Sequence, residues 1–211
     1  MNGYMKPQDI EKRSFEIITA ELGERTFPAG IAEVVKRVIH TTADFDYADS
    51  LAFSPDVIEK AKAALAAGAT VVTDTNMALS GVNKATLAKL GGKAVCLMAD
   101  EQVASEAKAR GVTRAVVSME HAAKFEGSLI FAIGNAPTAL IRLHELIEEG
   151  IVAPALVIGV PVGFVNVVEA KELFIGGDTP YIIARGRKGG SNVAASIVNA
   201  LLYQMVHREG F

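Results

Sequence analysis

The sequence predicts an α/β protein with three layers, α/β/α, around a mostly parallel central sheet, in a single domain over residues 1–211. Three observations predict it. From about residue 70 onward, short apolar runs alternate with helical stretches, the pattern of a parallel sheet covered on both faces. Half of the 211 residues are hydrophobic and mean hydropathy is +0.29, which suits strands buried on both sides. No repeat, low-complexity tract or linker interrupts the chain, and its length is ample for a well-buried core.

Helical periodicity opens the chain at 7–22, with Ile10, Ile17, Ile18 and Leu22 inward, and returns at 28–40. In this second helix Ile31, Val34, Val35, Val38 and Ile39 keep the i, i+3, i+4, i+7, i+8 spacing of one core-facing stripe. "LAFS" (51–54), before a helical 56–67, adds a short edge strand. The sheet proper is expected from "TVVTD" (70–74), "KAVCLM" (93–98), "SLIFAIG" (128–134), "ALVIGV" (155–160) and "PYIIARG" (180–186). Helical segments follow these strands at 83–90, 100–110, 136–149, 165–174 and 191–206. Residues 150–168 carry no charge and are long enough to cross a bilayer. Pro154, Gly159, Pro161, Gly163 and Asn166 punctuate them, however, so they read as strand, loop and helix start.

The bulk chemistry excludes several classes. A net charge of −3 and a pI of about 5.8 argue against a nucleic-acid surface. The one cysteine, Cys96, excludes an internal disulfide and a multi-cysteine metal site, and fits a reducing cytoplasm. "MNGYMKPQD" has no charged segment followed by an apolar one, so no secretory signal is expected, and no membrane partner.

In an open parallel sheet, ligands bind outside the carboxyl ends of the strands. The turns there are "DTN" (74–76), "GNAPT" (134–138), "GVPVGF" (159–164) and "GRKGGS" (186–191), each leading towards a helix N-terminus that favours anions. Together they suggest a ligand with several negative groups, although tight turns need glycine anyway. No GxGxxG follows a strand, and "GRKGGS" lacks the lysine that a phosphate loop places before its hydroxyl residue. There is no GxSxG elbow. Asp44, Asp46 and Asp49 fit neither a calcium nor a zinc spacing and read as a solvated turn.

Two residues do not fit simple packing. His40 closes the second helix in "RVIHTTAD" and falls opposite its apolar stripe, beside Glu33 and Lys36. The dipole there favours a protonated ring, and Thr41 and Thr42 offer hydroxyls nearby. Ser14, in "EKRSFEII", lies in an inward arc between Ile10 and Ile17. Its hydroxyl either bonds back to the Ile10 carbonyl or faces a pocket. His121, His144 and His207 read as surface residues.

Several strings in order, "EKRSFEII", "RVIHTTAD", "GVTRA", "IFAIGNAPTAL", "GVPVGFVNVVEAKE" and "ARGRKGGSNVAASIVNAL", resemble the precorrin-8X (cobalt-precorrin-8) methylmutases of cobalamin biosynthesis over essentially the whole chain. The resemblance implies a cytosolic α/β/α homodimer that moves a methyl group from C-11 to C-12 of the macrocycle, a [1,5]-sigmatropic shift giving hydrogenobyrinate or its cobalt form. It implies that His40 protonates, or hydrogen-bonds to, a ring nitrogen beside the migrating methyl, and that Ser14 and Arg114 contact the substrate. Arg114 could hold a peripheral carboxylate bidentately. Asn135, Arg187 and Lys188, at helix N-termini 135–138 and 187–191, are further anion contacts for such a ring. Asn83 and Ala170 depart from the threonine and serine of relatives, and Asn83 retains hydrogen-bonding capacity as a substrate contact. No separate cofactor and no protein metal site is implied, since any cobalt travels in the corrinoid substrate. Two rivals remain, a SAM-dependent corrin methyltransferase and a non-catalytic tetrapyrrole carrier.

Overall fold

The computed structural model describes residues 7–206. Helices α1 (Pro7–Leu22) and α2 (Ile31–Thr42) lead through a one-turn α3 (Tyr47–Ser50) into β1 (Leu51–Phe53). The stripe on α2 does what its spacing dictates: Val34, Val35, Val38 and Ile39 are buried. The chain leaves this helix through Ala43 in a left-handed conformation (φ 54°), whose N–H closes onto the Ile39 carbonyl. The first helix departs from expectation. Ile18 and Leu22 are buried, but Ile10 and Ile17 are 51% and 44% exposed. α1 packs chiefly on α2 rather than on the sheet, so only a narrow stripe of it is covered.

After α4 (Val57–Ala66) come β2 (Thr70–Thr73), the short helices α5 (Asn76–Gly81) and α6 (Lys84–Lys89), and β3 (Lys93–Cys96). Then follow α7 (Glu101–Arg110), α8 (Arg114–Ala122), β4 (Leu129–Ile133), α9 (Pro137–Glu148) and β5 (Leu156–Gly159). The chain closes with α10 (Val167–Glu172), β6 (Tyr181–Ala184) and α11 (Ser191–Tyr203). The strand order is β1-β6-β5-β4-β2-β3, and only the edge strand β1 runs antiparallel, Leu51 opposite Ala184. Residues 150–168 are β5, a loop and the start of α10. Among the described residues no helix is long and apolar enough to cross a membrane.

Every residue of β2, β4, β5 and β6 is buried, which is why these strands read as apolar or β-branched runs without a charge. Their alternate side chains feed two cores. Val71, Ile130, Leu156 and Ile182 pack with α2, α4 and α11. Val72, Phe131, Val157 and Ile183 pack with α8, α9 and α10 on the other face. The order reverses at β2, whose two neighbours are β3 and β4, so the crevice for a ligand opens at the carboxyl ends of β2 and β4. From that edge α11 runs back across the sheet. α2 lies antiparallel on it: Gln204 donates to the Gly30 carbonyl at one end (3.0 Å), and Lys188 meets Asp44 at the other. The end of α2, with His40, is thereby carried to the carboxyl edge.

Candidate active site

His40 is exposed, and its ring stacks on Phe15 of α1 with centroids 5.2 Å apart and planes 6° from parallel. A groove of about 250 Å³ runs between α1 and the end of α2, lined by Ser14, Ile17, Ile39, His40 and Phe45. The two residues that sequence reasoning found anomalous therefore share one cavity. The hydroxyl of Ser14 donates to the Ile10 carbonyl (2.8 Å), which leaves its oxygen able to accept. Thr41 and Thr42 do not serve the histidine as donors: their hydroxyls bond back to the carbonyls of Arg37 and Val38 (both 2.9 Å).

The acids after His40 are not simply a solvated turn. Lys188, from the β6–α11 turn, donates to Asp44 and Asp46 (2.6 Å each). That bond holds the Asp44 carboxyl below its ordinary range and pushes the Lys188 ammonium up. With Lys188 half-exposed the pair adds little stability, but it ties the turn after α2 to the turn before α11. This corrects the expectation that Lys188 is an open anion seat, because one ammonium already faces two carboxylates. Asp49 pairs separately with Arg25. Arg187, by contrast, points out over the ring of Phe164 (5.5 Å), which is 82% exposed. Beneath this turn Lys171 of α10 is fully buried and donates to the carbonyls of Gly186 (2.7 Å) and Lys188 (2.9 Å). Burial pushes its ammonium down to about 8.

At the crevice itself the anion seat predicted at 135–138 is already filled. The buried Asp74, one residue past β2, accepts from the backbone N–H groups of Gly134 (2.9 Å), Asn135 (2.8 Å) and Ala136 (2.7 Å). Burial raises its carboxyl, and these three bonds pull the other way. The glycine at 134 is obligatory, since a Cβ there would lie 2.7 Å from Ser191 Cα. Thr75 and Ser191 share a hydroxyl–hydroxyl bond of 2.7 Å that joins β2 to the start of α11. No side chain caps α11, whose start, Gly190 and Ser191, is buried against the Gly134 turn.

The remaining predicted contacts separate. Asn135 is exposed at the crevice, its backbone N–H committed to Asp74. Arg114 is exposed at the first turn of α8, with one long contact to the Met98 carbonyl (3.4 Å). Thr113 beside it meets Thr138 at the start of α9 (3.1 Å), which sets Arg114 at the same edge of the sheet. Asn83 is not there. It caps α6 through Thr86 N–H (3.0 Å), donates its amide to Tyr203 (3.2 Å), and its backbone N–H meets Asn199 (2.8 Å). At 1.5 Å per residue Asn199 is roughly 12 Å along α11 from Ser191. The unforeseen helix α5 carries the chain away from the crevice, so Asn83 is a structural cap rather than a crevice residue.

His121 pairs with Glu106 (2.8 Å), and His144 packs edge-on against Phe174. His207 lies outside the described residues. Among the described residues no group of three or more His, Cys, Asp or Glu is placed to hold a metal. Sequence reasoning missed Phe15, Asp74 and Lys171. Only Asp74 carried a signal, an acid directly after the β-branched strand "TVVT".

An open sheet that reverses order at β2, with its turns and a helix-end histidine at one edge, defines an α/β protein of the doubly wound class. Within that class the chain belongs to the precorrin-8X methylmutase family, whose sequence description matches residues 9–204. It is 46% identical to the cobalt-precorrin-8 methylmutase of Salmonella typhimurium, over 97% of this chain and 99% of that protein. It is 41% identical to the precorrin-8X methylmutase of Pseudomonas aeruginosa, over 92% and 94%. The crystal structure of precorrin-8X methylmutase from Thermus thermophilus matches with a TM-score of 0.86 at 40% identity, over 92% of this chain and 94% of that one.

Proposed function

We propose that the chain is an isomerase that moves a methyl group from C-11 to C-12 of precorrin-8X or cobalt-precorrin-8, giving hydrogenobyrinate or cobyrinate, with His40 as the acid. The observation that carries this reading is the shared groove: His40 and Ser14 face one cavity at the ligand-binding edge of a methylmutase-family fold. Proton donation to a ring nitrogen beside the migrating methyl draws electrons out of the conjugated system and favours migration. The stack on Phe15 supports the role by fixing the plane of the imidazole. Ser14 keeps an acceptor for the substrate, and Arg114 and Arg187 answer its peripheral carboxylates.

The reading includes no separate cofactor, with any cobalt bound in the ring as part of the substrate. It also includes a cytoplasmic homodimer. Ile10 and Ile17, exposed on the helix that bears Ser14, support a second copy covering α1. Incubation with the substrate in the absence of SAM tests the reaction. The isomerase converts the coloured ring to product unaided, a methyltransferase would wait for SAM, and a carrier would only bind. Comparing turnover of metal-free and cobalt-loaded rings identifies the natural substrate. A monomer by sedimentation at micromolar concentration refutes the dimer.

A further inference from the structure

Lys171 is a charge where the fold has no evident use for one. It sits on a two-turn helix between β5 and β6, fully buried, and its bonds are to two main-chain carbonyls rather than to a carboxylate. A buried ammonium without a counter-ion is unfavourable, so a chain that needed only packing there would place an apolar residue. The two carbonyls, of Gly186 and Lys188, bracket Arg187. With both turned inward onto one ammonium, the Arg187 side chain lies outward over Phe164 and the Lys188 side chain reaches Asp44 and Asp46. Those acids follow His40 by only four and six residues. The same turn is stitched to the β5–α10 loop by Gly163 N–H to the Arg187 carbonyl (3.1 Å) and Gly190 N–H to the Val160 carbonyl (2.9 Å).

We propose that Lys171 is a positioning residue: from inside the fold it fixes the 186–188 backbone, which holds Arg187 outward over Phe164 and lets Lys188 tie down the turn that follows His40. It touches no substrate and acts through the turn. An apolar side chain would leave two inward carbonyls without donors, and the turn would swing towards water to satisfy them. Because the functional part of this inference rests on the His40 reading above, its test separates the two.

Hydrogen exchange at the Gly163 and Gly190 amides, which bond across this turn, is measured in the wild-type chain and in Lys171→Met, alongside kcat and KM for the corrinoid substrate. The wild-type turn should be protected, and Lys171→Met, with cooperative unfolding retained, should lose that protection and at least about ten-fold in kcat/KM. Lys171→Gln, which keeps an N–H donor, should recover part of both. A merely structural residue would not be coupled to Lys188. If Lys171 acts through the turn, adding Lys188→Ala to Lys171→Met should cost less than about two-fold more, although Lys188→Ala alone is costly. Multiplicative losses, or full kcat/KM in folded Lys171→Met, overturn the proposal. So does a wild-type turn that exchanges as fast as free peptide, a result that stands whether or not the variants fold. If His40→Ala keeps full turnover while Lys171→Met still loosens the turn, the strut survives and the His40 reading falls.

Discussion

Replacing His40 with alanine should separate catalysis from folding. The side chain is exposed and lies opposite the buried stripe of Val34, Val35, Val38 and Ile39, so its removal opens no core cavity. The fold's losses include the stack on Phe15, worth about 0.5–1.5 kcal/mol for a ring pair and less at a wetted surface. Stability in urea should therefore fall by no more than about 1 kcal/mol. A positioned acid is worth about 10²–10⁴-fold in rate, or roughly 2.7–5.5 kcal/mol of barrier, so catalysis and folding should respond on different scales. Turnover is followed by the change in ring absorption at saturating substrate, and binding by titrating the same chromophore. The expected result is a folded protein that binds the ring and converts it hundreds to thousands of times more slowly. Phe15→Leu, which removes the stack but leaves the imidazole, should lose far less, about ten-fold, through looser positioning. A folded His40→Ala that turns over at nearly the wild-type rate would show that His40 is not the acid, whatever the family.

Three further outcomes follow from the geometry. Asp74→Ala removes the acceptor of three N–H groups, one of them fully buried, and should cost about 3 kcal/mol in urea denaturation; a change below about 1 kcal/mol would mean that water replaces the carboxylate. Arg114→Ala should weaken binding of the product ring by about 1.5–3 kcal/mol with folding nearly untouched, and unchanged affinity would return Arg114 to the role of a surface residue. Asn83→Ala should lower stability by about 1–2 kcal/mol through loss of its cap, without changing KM; a raised KM in a stable variant would put Asn83 back among the substrate contacts.

The parts legible in the sequence are those that depend on a segment's own pattern. The stripe on α2 is a property of twelve consecutive residues, so it located the buried face and, by exclusion, left His40 facing outward. The sheet strands were legible because burial on both faces leaves no charged interruption, and the family strings carried the identity of the whole. Patterns of this kind say which face is covered but not by what. Ile10 and Ile17 repeat helically like Ile18, yet are exposed because α1 rests chiefly on another helix. The same gap explains the site. Asp74 fills the turn at 134–136, Lys188 meets Asp44 and Asp46, and Asn83 meets Tyr203, pairs separated by 60 to 144 residues. By itself the sequence determined the layers, the strands and the outward histidine, because periodicity and burial are local. Only the tertiary structure decided which anion seat is filled, which lysine is latched and which is buried. Those outcomes depend on strand order and helix crossing, which bring remote groups to hydrogen-bond distance and leave no trace in the residues beside them.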